Sequence, residues 1–257
     1  MNDLVLAIFP GIDLLGRAFE EAGYCVVRGP DPLWGGDIRT FHPPAGVFDG
    51  IIGGDPCQSH SALVHLVRHN GNEPKFPDLS PEYRRVVEAA RPRWFLRENV
   101  LGAPRIAPAG YDVWSTMLVD YEVGGVQPRK RLIQFGMREG EWPNPLRSPL
   151  SLIAYVEGVG SEHSITSGDR AVPVKIGGSG KVKRTVVSGH GNTPGQRDAG
   201  MGGGVLPIED ACEAMGLPRD FTEHFPLTMH GKRSVLGNGV PMAMGRALAA
   251  MVRRATA

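Results

Sequence analysis

Apolar positions in the first hundred residues fall into two alternating rhythms. Leu4 to Phe9 form an unbroken apolar run, Pro10-Gly11 breaks it, and Leu14, Leu15, Ala18, Phe19 and Ala22 then recur at helical spacing before Gly23 closes the segment. The apolar stretch YCVV follows. Strand, turn, helix, strand is a βαβ opening. Phe48–Ile52 reads as a further buried strand, Pro81–Ala90 as a helix, and RWFLRENV as a strand running into polar residues. Such alternation predicts an α/β fold with a doubly wound, mainly parallel sheet. Ligands of these sheets sit at the carboxyl ends of the strands.

The rhythm fails between Trp142 and about Gly204, where Gly, Pro and Ser are dense and long helical periodicity is absent. Helical patterning returns in LPIEDACEAMG and in the C-terminal VPMAMGRALAAMVRRA. The expected organisation is a main domain of residues 1–141 and 231–257, with a small loop- and β-rich domain at 142–230.

Charge changes this picture little as a total, which is +1, but more as a distribution. Acidic residues outnumber basic ones in the first half, and the balance reverses in the second. A nucleic-acid backbone facing the second half fits that asymmetry, as does a solvated basic face. No apolar run approaches the roughly 20 residues that cross a bilayer. The start lacks a basic region and a small-residue cleavage site, so a cytoplasmic protein with no membrane partner is expected. Cys25, Cys57 and Cys212 are far apart and form no C-x-x-C, which implies neither a disulfide framework nor a zinc ribbon. His65 and His69 lie four apart without an intervening glutamate or a clear third ligand, so no metal is expected. Hydrolase and nucleotide-triphosphatase readings lose support because G-x-S-x-G and G-x-x-x-x-G-K-[ST] are both missing.

Cys57 stands apart from the other thiols. It follows the Phe48–Ile52 strand in GGDPCQS, where a side chain works as a nucleophile or redox group, whereas core cysteines sit inside apolar runs. Glu98 ends another predicted strand and reaches the same rim. Gln127, Arg129 and Arg131 alternate, so an extended strand turns all three to one face. An ordinary exposed strand shows the same alternation.

In order, the chain gives F-P-G-I-D after the first strand, G-D-I at Gly36–Ile38, P-C-Q, Glu98-Asn99-Val100 and Q-P-R-K-R at Gln127–Arg131. L-P-I-E-D-A-C-E-A-M-G-L-P and Gly237-Asn238-Gly239-Val240-Pro241 complete the series. This order resembles the DNA (cytosine-5) methyltransferase family along essentially the whole chain. The resemblance implies a Rossmann-like fold and S-adenosylmethionine as cofactor, with S-adenosylhomocysteine as product. It also implies double-stranded DNA as substrate, with the target cytosine flipped out of the stack. Carbon 5 of cytosine is a poor nucleophile, so a thiolate first adds to carbon 6 and turns the ring into an enamine that attacks the sulfonium methyl group.

On this resemblance Cys57 is the nucleophile, Glu98 hydrogen-bonds ring nitrogen 3, and Arg129 and Arg131 complete the catalytic set, with Arg131 against the base. Phe9 and Gly11 form the turn beneath the methionine and ribose, and Asp31 is the ribose carboxylate. Asp37 and Ile38 take the adenine. Pro56, Leu79, Asn238 and Val240 complete the cofactor site. Ser59 and Gln127 meet DNA together with Lys181, Lys183, Arg184 and Arg197 of the 142–230 domain, where the family keeps its target-recognition region. A monomer is expected, and the sequence gives no indication of a restriction endonuclease partner.

Four departures mark a compact, phage-like version of the family. Asp13 replaces the second glycine of F-x-G-x-G, Asp31 is displaced from the usual position, Asp55 stands where a proline is common, and the link from Val100 to Gln127 is short. Two rival readings follow from the same residues. A catalytically silent DNA-binding relative is opposed by the joint presence of Cys57, Glu98, Arg129 and Arg131. An RNA cytosine methyltransferase is opposed by the lack of that branch's Cys-Phe-Thr signature.

Overall fold

A computed structural model describes residues 3–56, 60, 69, 77–144, 146–156 and 206–257. Six strands form one sheet, β1 (Leu4–Ile8), β2 (Cys25–Arg28), β3 (Gly50–Gly53), β4 (Trp94–Asn99), β5 (Tyr111–Val119) and β6 (Lys130–Arg138). Their spatial order is β2-β1-β3-β4-β6-β5. Strands β1 to β4 are parallel, while β6 runs antiparallel between β4 and β5. The short link after Val100 therefore carries a strand that the apolar pattern did not announce.

Successive side chains on a strand point to opposite faces. Val5, Ala7, Ile52, Leu96, Ile133 and Phe135 pack with Leu15 and Phe19 of α1 (Leu14–Glu21) and with Met244, Leu248 and Val252 of α5 (Met242–Thr256). Leu6, Ile8, Ile51 and Phe95 turn the other way, onto Tyr83, Val86 and Val87 of α2 (Ser80–Ala90). Covering both faces explains why β1, the middle of β3 and the first half of β4 read as apolar runs. Each fully buried Leu, Ile or Phe contributes about 1.5–3 kcal/mol.

Two short helices complete the described fold, α3 (Ile208–Ala214) and α4 (Met229–Asn238). By length and composition alone the stretch Met229–Thr256 could cross a membrane. It is instead two helices, with Gly239 in extended backbone between them, and Leu236, Met244, Leu248 and Met251 are fully buried in the fold.

Both ends of the expected 142–230 unit pack on the sheet and its helices. Leu150 and Ile153 pack into the cluster that holds α5, and Ile208, Ala211, Cys212 and Met215 pack on Leu14 and Ala18 of α1. Their apolar surface has its partner in the sheet domain. Residues 157–205, including Lys181, Lys183, Arg184 and Arg197, lie outside the described residues, as do Cys57, Ser59 and His65.

Candidate active site

The loop after β1 carries unusual backbone. Phe9, Gly11 and Asp13 all have positive φ, at 54°, 56° and 55°. Only glycine adopts this region freely, and an L-residue there costs about 1 kcal/mol. The aspartate at the family's second glycine position thus accepts the left-handed conformation. Its Oδ1 accepts from Gly16 N at 3.0 Å, capping α1, and its Oδ2 lies 2.8 Å from Arg28 Nε. Burial raises its pKa to about 6, against the lowering effect of Arg28. A side chain at Gly16 would collide with this carboxylate, which fixes where the helix can begin.

Asp31 sits beside this loop. It accepts from Gly11 N at 2.9 Å and from Leu33 N at 2.7 Å, so its displacement from the end of β2 still brings it to the expected turn. Trp34 donates from Nε1 to Gly11 O at 2.9 Å and is largely exposed. Sequence reading passed over Trp34, although an exposed tryptophan three residues beyond the acidic candidate was a usable signal. Asp37 caps the turn Ile38–Thr40, and Arg39 holds both its carboxylate oxygens, which lowers its pKa. Ile38, Phe9 and Leu79 share one buried cluster, with Leu79 at the start of α2. Phe9, Glu98, Asn238 and Val240 line one narrow cleft together with Asp13, Gly53 and Gly54.

Glu98 reaches the cleft from β4, where it is almost buried. The register sets its neighbour. Ile133 of β6 lies opposite Glu98, so Arg131, two residues earlier on the same face, approaches diagonally. Arg131 Nε lies 2.7 Å from Glu98 Oε1. The other oxygen faces Gly54, where an added Cβ would lie 3.1 Å from Oε2 and 2.5 Å from the Glu98 carbonyl. Gly53 is as constrained, since a Cβ there would lie 2.0 Å from Ile8 O. The two glycines let the chain that leads to Cys57 pass between β1 and β4.

Two expected members lie elsewhere. Gln127 precedes the strand; its side chain is fully buried and donates to Ala214 O at 2.8 Å, tying the loop to the end of α3. Its side chain is turned into the fold. The alternation argument failed because β6 begins only at Lys130. Arg129 is buried as well and donates to Gly237 O and Gly239 O, both at 2.9 Å. It fixes the turn that carries Asn238 and Val240, while Arg131 lies beside Glu98.

On the opposite face of β4, Arg97 and Asp55 form an ion pair with both side chains fully buried. Arg97 Nε donates to Asp55 Oδ1 at 2.5 Å and Nη2 to Oδ2 at 2.9 Å. Neither residue was a site candidate, although a charge inside a strand of apolar residues was a readable signal. An open groove lined by Glu88, Arg91, Tyr111 and Arg138 lies at the opposite rim, at the amino ends of the parallel strands. Ligands of such sheets bind at the other rim, where the cleft of Glu98 lies.

Phe9 of the cleft and the residues beside the β1 loop fit the cofactor that the resemblance implies. Apolar Phe9, Ile38 and Leu79 suit an aromatic ring, and the Asp31 and Asp37 carboxylates suit hydroxyl or amino groups. A Cβ at Gly11 would project into open space, so a ligand can approach the backbone there.

The mostly parallel sheet covered on both faces, with a cleft at the carboxyl ends of its strands, is a Rossmann-like architecture. The C-5 cytosine-specific DNA methylase family matches residues 35–163, half of the chain, and the chain belongs to that family. It is 31% identical over 166 residues to the type II methyltransferase M.NgoPII of Neisseria gonorrhoeae, covering 52% of this chain and 48% of the relative. Identity to M.FnuDI of Fusobacterium nucleatum, another type II methyltransferase, is 33% over 177 residues, or 55% and 51% of the two chains. The chain thus spans about half the length of these relatives. Its fold resembles that of a protein described as a DNA modification methyltransferase encoded within an E. coli prophage, with TM-score 0.61 at 15% identity, covering 98% and 99% of the two chains. DNMT2 of Spodoptera frugiperda gives TM-score 0.58 at 13% identity, covering 97% and 99%.

Proposed function

We propose that this protein methylates carbon 5 of cytosine in double-stranded DNA, with Cys57 as the nucleophile. The observation that carries the reading is the placement of Glu98 and Arg131 at the rim where the Gly53–Pro56 segment leaves β3 toward Cys57. A cytosine swung out of the duplex would enter between this segment and Glu98. The Cys57 thiolate adds to carbon 6 while Glu98, in its carboxylic acid form, donates its proton to ring nitrogen 3 and so offsets the charge that develops on the ring. Arg131 holds one carboxylate oxygen and orients the other. Bound S-adenosylmethionine supplies an electrophilic methyl group to carbon 5. Loss of the carbon 5 proton to water then breaks the carbon 6–sulfur bond, releases the Cys57 thiolate and restores the carbon 5–carbon 6 double bond.

Phe9, Gly11, Ile38, Leu79, Asn238 and Val240 would hold the cofactor, with Asp31 and Asp37 on its polar edges and Pro56 at the rim. Arg129 belongs to this site indirectly, through the turn it fixes. Residues 157–205 would read the target, with Lys181, Lys183, Arg184 and Arg197 on phosphates or base edges and Ser59 nearer the flipped base. The test is tritiated methyl transfer to duplex DNA, with transfer RNA as the comparison substrate, followed by bisulfite sequencing of DNA from a host expressing the chain. Label in DNA at one cytosine context supports the reading; label in transfer RNA alone, or none, overturns it.

A further inference from the structure

Asp55 occupies a position where the family commonly has proline, and the structure gives this exchange a partner. Five N–H groups of Arg97 are available, and all five have acceptors. Nε and Nη2 take the two oxygens of Asp55, Nη2 also reaches Ser80 Oγ at 2.8 Å, and Nη1 reaches Gln134 Oε1 at 2.9 Å and Pro104 O at 2.7 Å. Ser80 Oγ donates to Asp55 Oδ2 at 2.9 Å, and Asn99 Nδ2 donates to Asp55 O at 3.1 Å. Five parts of the fold meet here: the segment after β3, the start of α2, the strand β4, the loop that follows it and the strand β6.

A buried ion pair is a poor source of net stability, because desolvation of both charges offsets their attraction and apolar replacements often do as well. What a fully bonded fork does supply is a fixed geometry. Asp55 lies two residues before Cys57, and Arg97 immediately before Glu98. Adjacent strand residues face opposite ways, so Arg97 points away from the cleft that Glu98 lines.

We propose that Asp55 and Arg97 are positioning residues that clamp the nucleophile loop to the strand carrying Glu98, and so set Cys57 and Glu98 at the spacing that addition to carbon 6 requires. The proposal rests on the methyltransferase reading above. Reacting groups misplaced by about 1 Å can lose on the order of 10²-fold in rate.

The test compares wild type, D55N and R97K. D55N keeps the shape and loses the charge; R97K keeps the charge and loses the fork. Four quantities are measured: melting temperature, S-adenosylmethionine affinity by calorimetry, KM for DNA, and the single-turnover rate of covalent adduct formation on 5-fluorocytosine DNA. The expected result is an adduct rate lowered on the order of 10²-fold, with cofactor affinity and KM within a few-fold of wild type. A clamp that serves stability alone lowers the melting temperature and leaves the adduct rate of the folded variants unchanged, which overturns the proposal. Failure of both variants to fold overturns it as well, since it assigns the pair to the stability of the whole domain. If wild type itself forms no adduct, the methyltransferase reading fails first.

Discussion

Arg131 Nε lies 2.7 Å from Glu98 Oε1, and this contact joins the two catalytic candidates that the structure brings together at the carboxyl rim of the sheet. The guanidinium lies against one carboxylate oxygen, and the other faces Gly54, which also lines the cleft. Replacing Arg131 with Gln is expected to lower single-turnover methyl transfer on the order of 10²-fold, the usual loss when one preorganised electrostatic partner is removed. Cofactor affinity should stay near wild type. A rate within a few-fold of wild type would remove Arg131 from the reaction.

Arg129 should behave differently from Arg131 despite their shared motif. Its guanidinium donates to the carbonyls of Gly237 and Gly239. Arg129→Ala removes two charged hydrogen bonds and leaves buried carbonyls unpaired, which is expected to cost about 3 kcal/mol in denaturant unfolding. Because Asn238 lies between the two carbonyls, cofactor affinity should fall too, as calorimetry would register. Wild-type stability combined with lost DNA affinity would return Arg129 to the substrate.

Asp13 makes the stability of the fold depend on pH. Its carboxyl is raised from 3.8 to about 6, chiefly by burial, so between those values the folded protein holds a proton that the unfolded chain has released. Stability from this group is therefore greatest below about pH 4, falls as pH rises through 6, and is then flat, a total of about 2–3 kcal/mol. Asp13→Asn retains a capping side chain that tolerates left-handed backbone. Chemical denaturation at a series of pH values should show that the variant lacks this decline. An identical pH slope in wild type and variant would contradict the assignment.

The elements buried on both faces were legible in the sequence because burial writes itself as apolar runs, as in β1, the middle of β3 and the Trp94–Leu96 half of β4. Helices α1, α2 and α5 were legible from their apolar stripes. Strand β5 was not. Its side chains from Tyr111 to Met117 are mixed in burial, and its partner β6 arrives only later in the chain. Helix α4 carries two glycines and no clear apolar stripe. At the site, motif order located Glu98, Phe9 and Asn238, which do line one cleft. Motif spacing could not show that Gln127 and Arg129 leave the face of Arg131, because that depends on where the strand begins. Nor could it show the pairing of Asp55 with Arg97, residues 42 apart in sequence.

Covalent capture tests the central claim most directly. Wild type, S-adenosylmethionine and duplex DNA carrying 5-fluorocytosine at the target should yield a stable adduct, because fluorine at carbon 5 blocks the final proton loss. Peptide mass spectrometry should place the DNA on Cys57. Cys57→Ser should form no adduct and still bind the cofactor, since a hydroxyl is far less ionised than a thiol near neutral pH. An adduct on any other residue, or methyl transfer that survives in Cys57→Ser, would contradict the account.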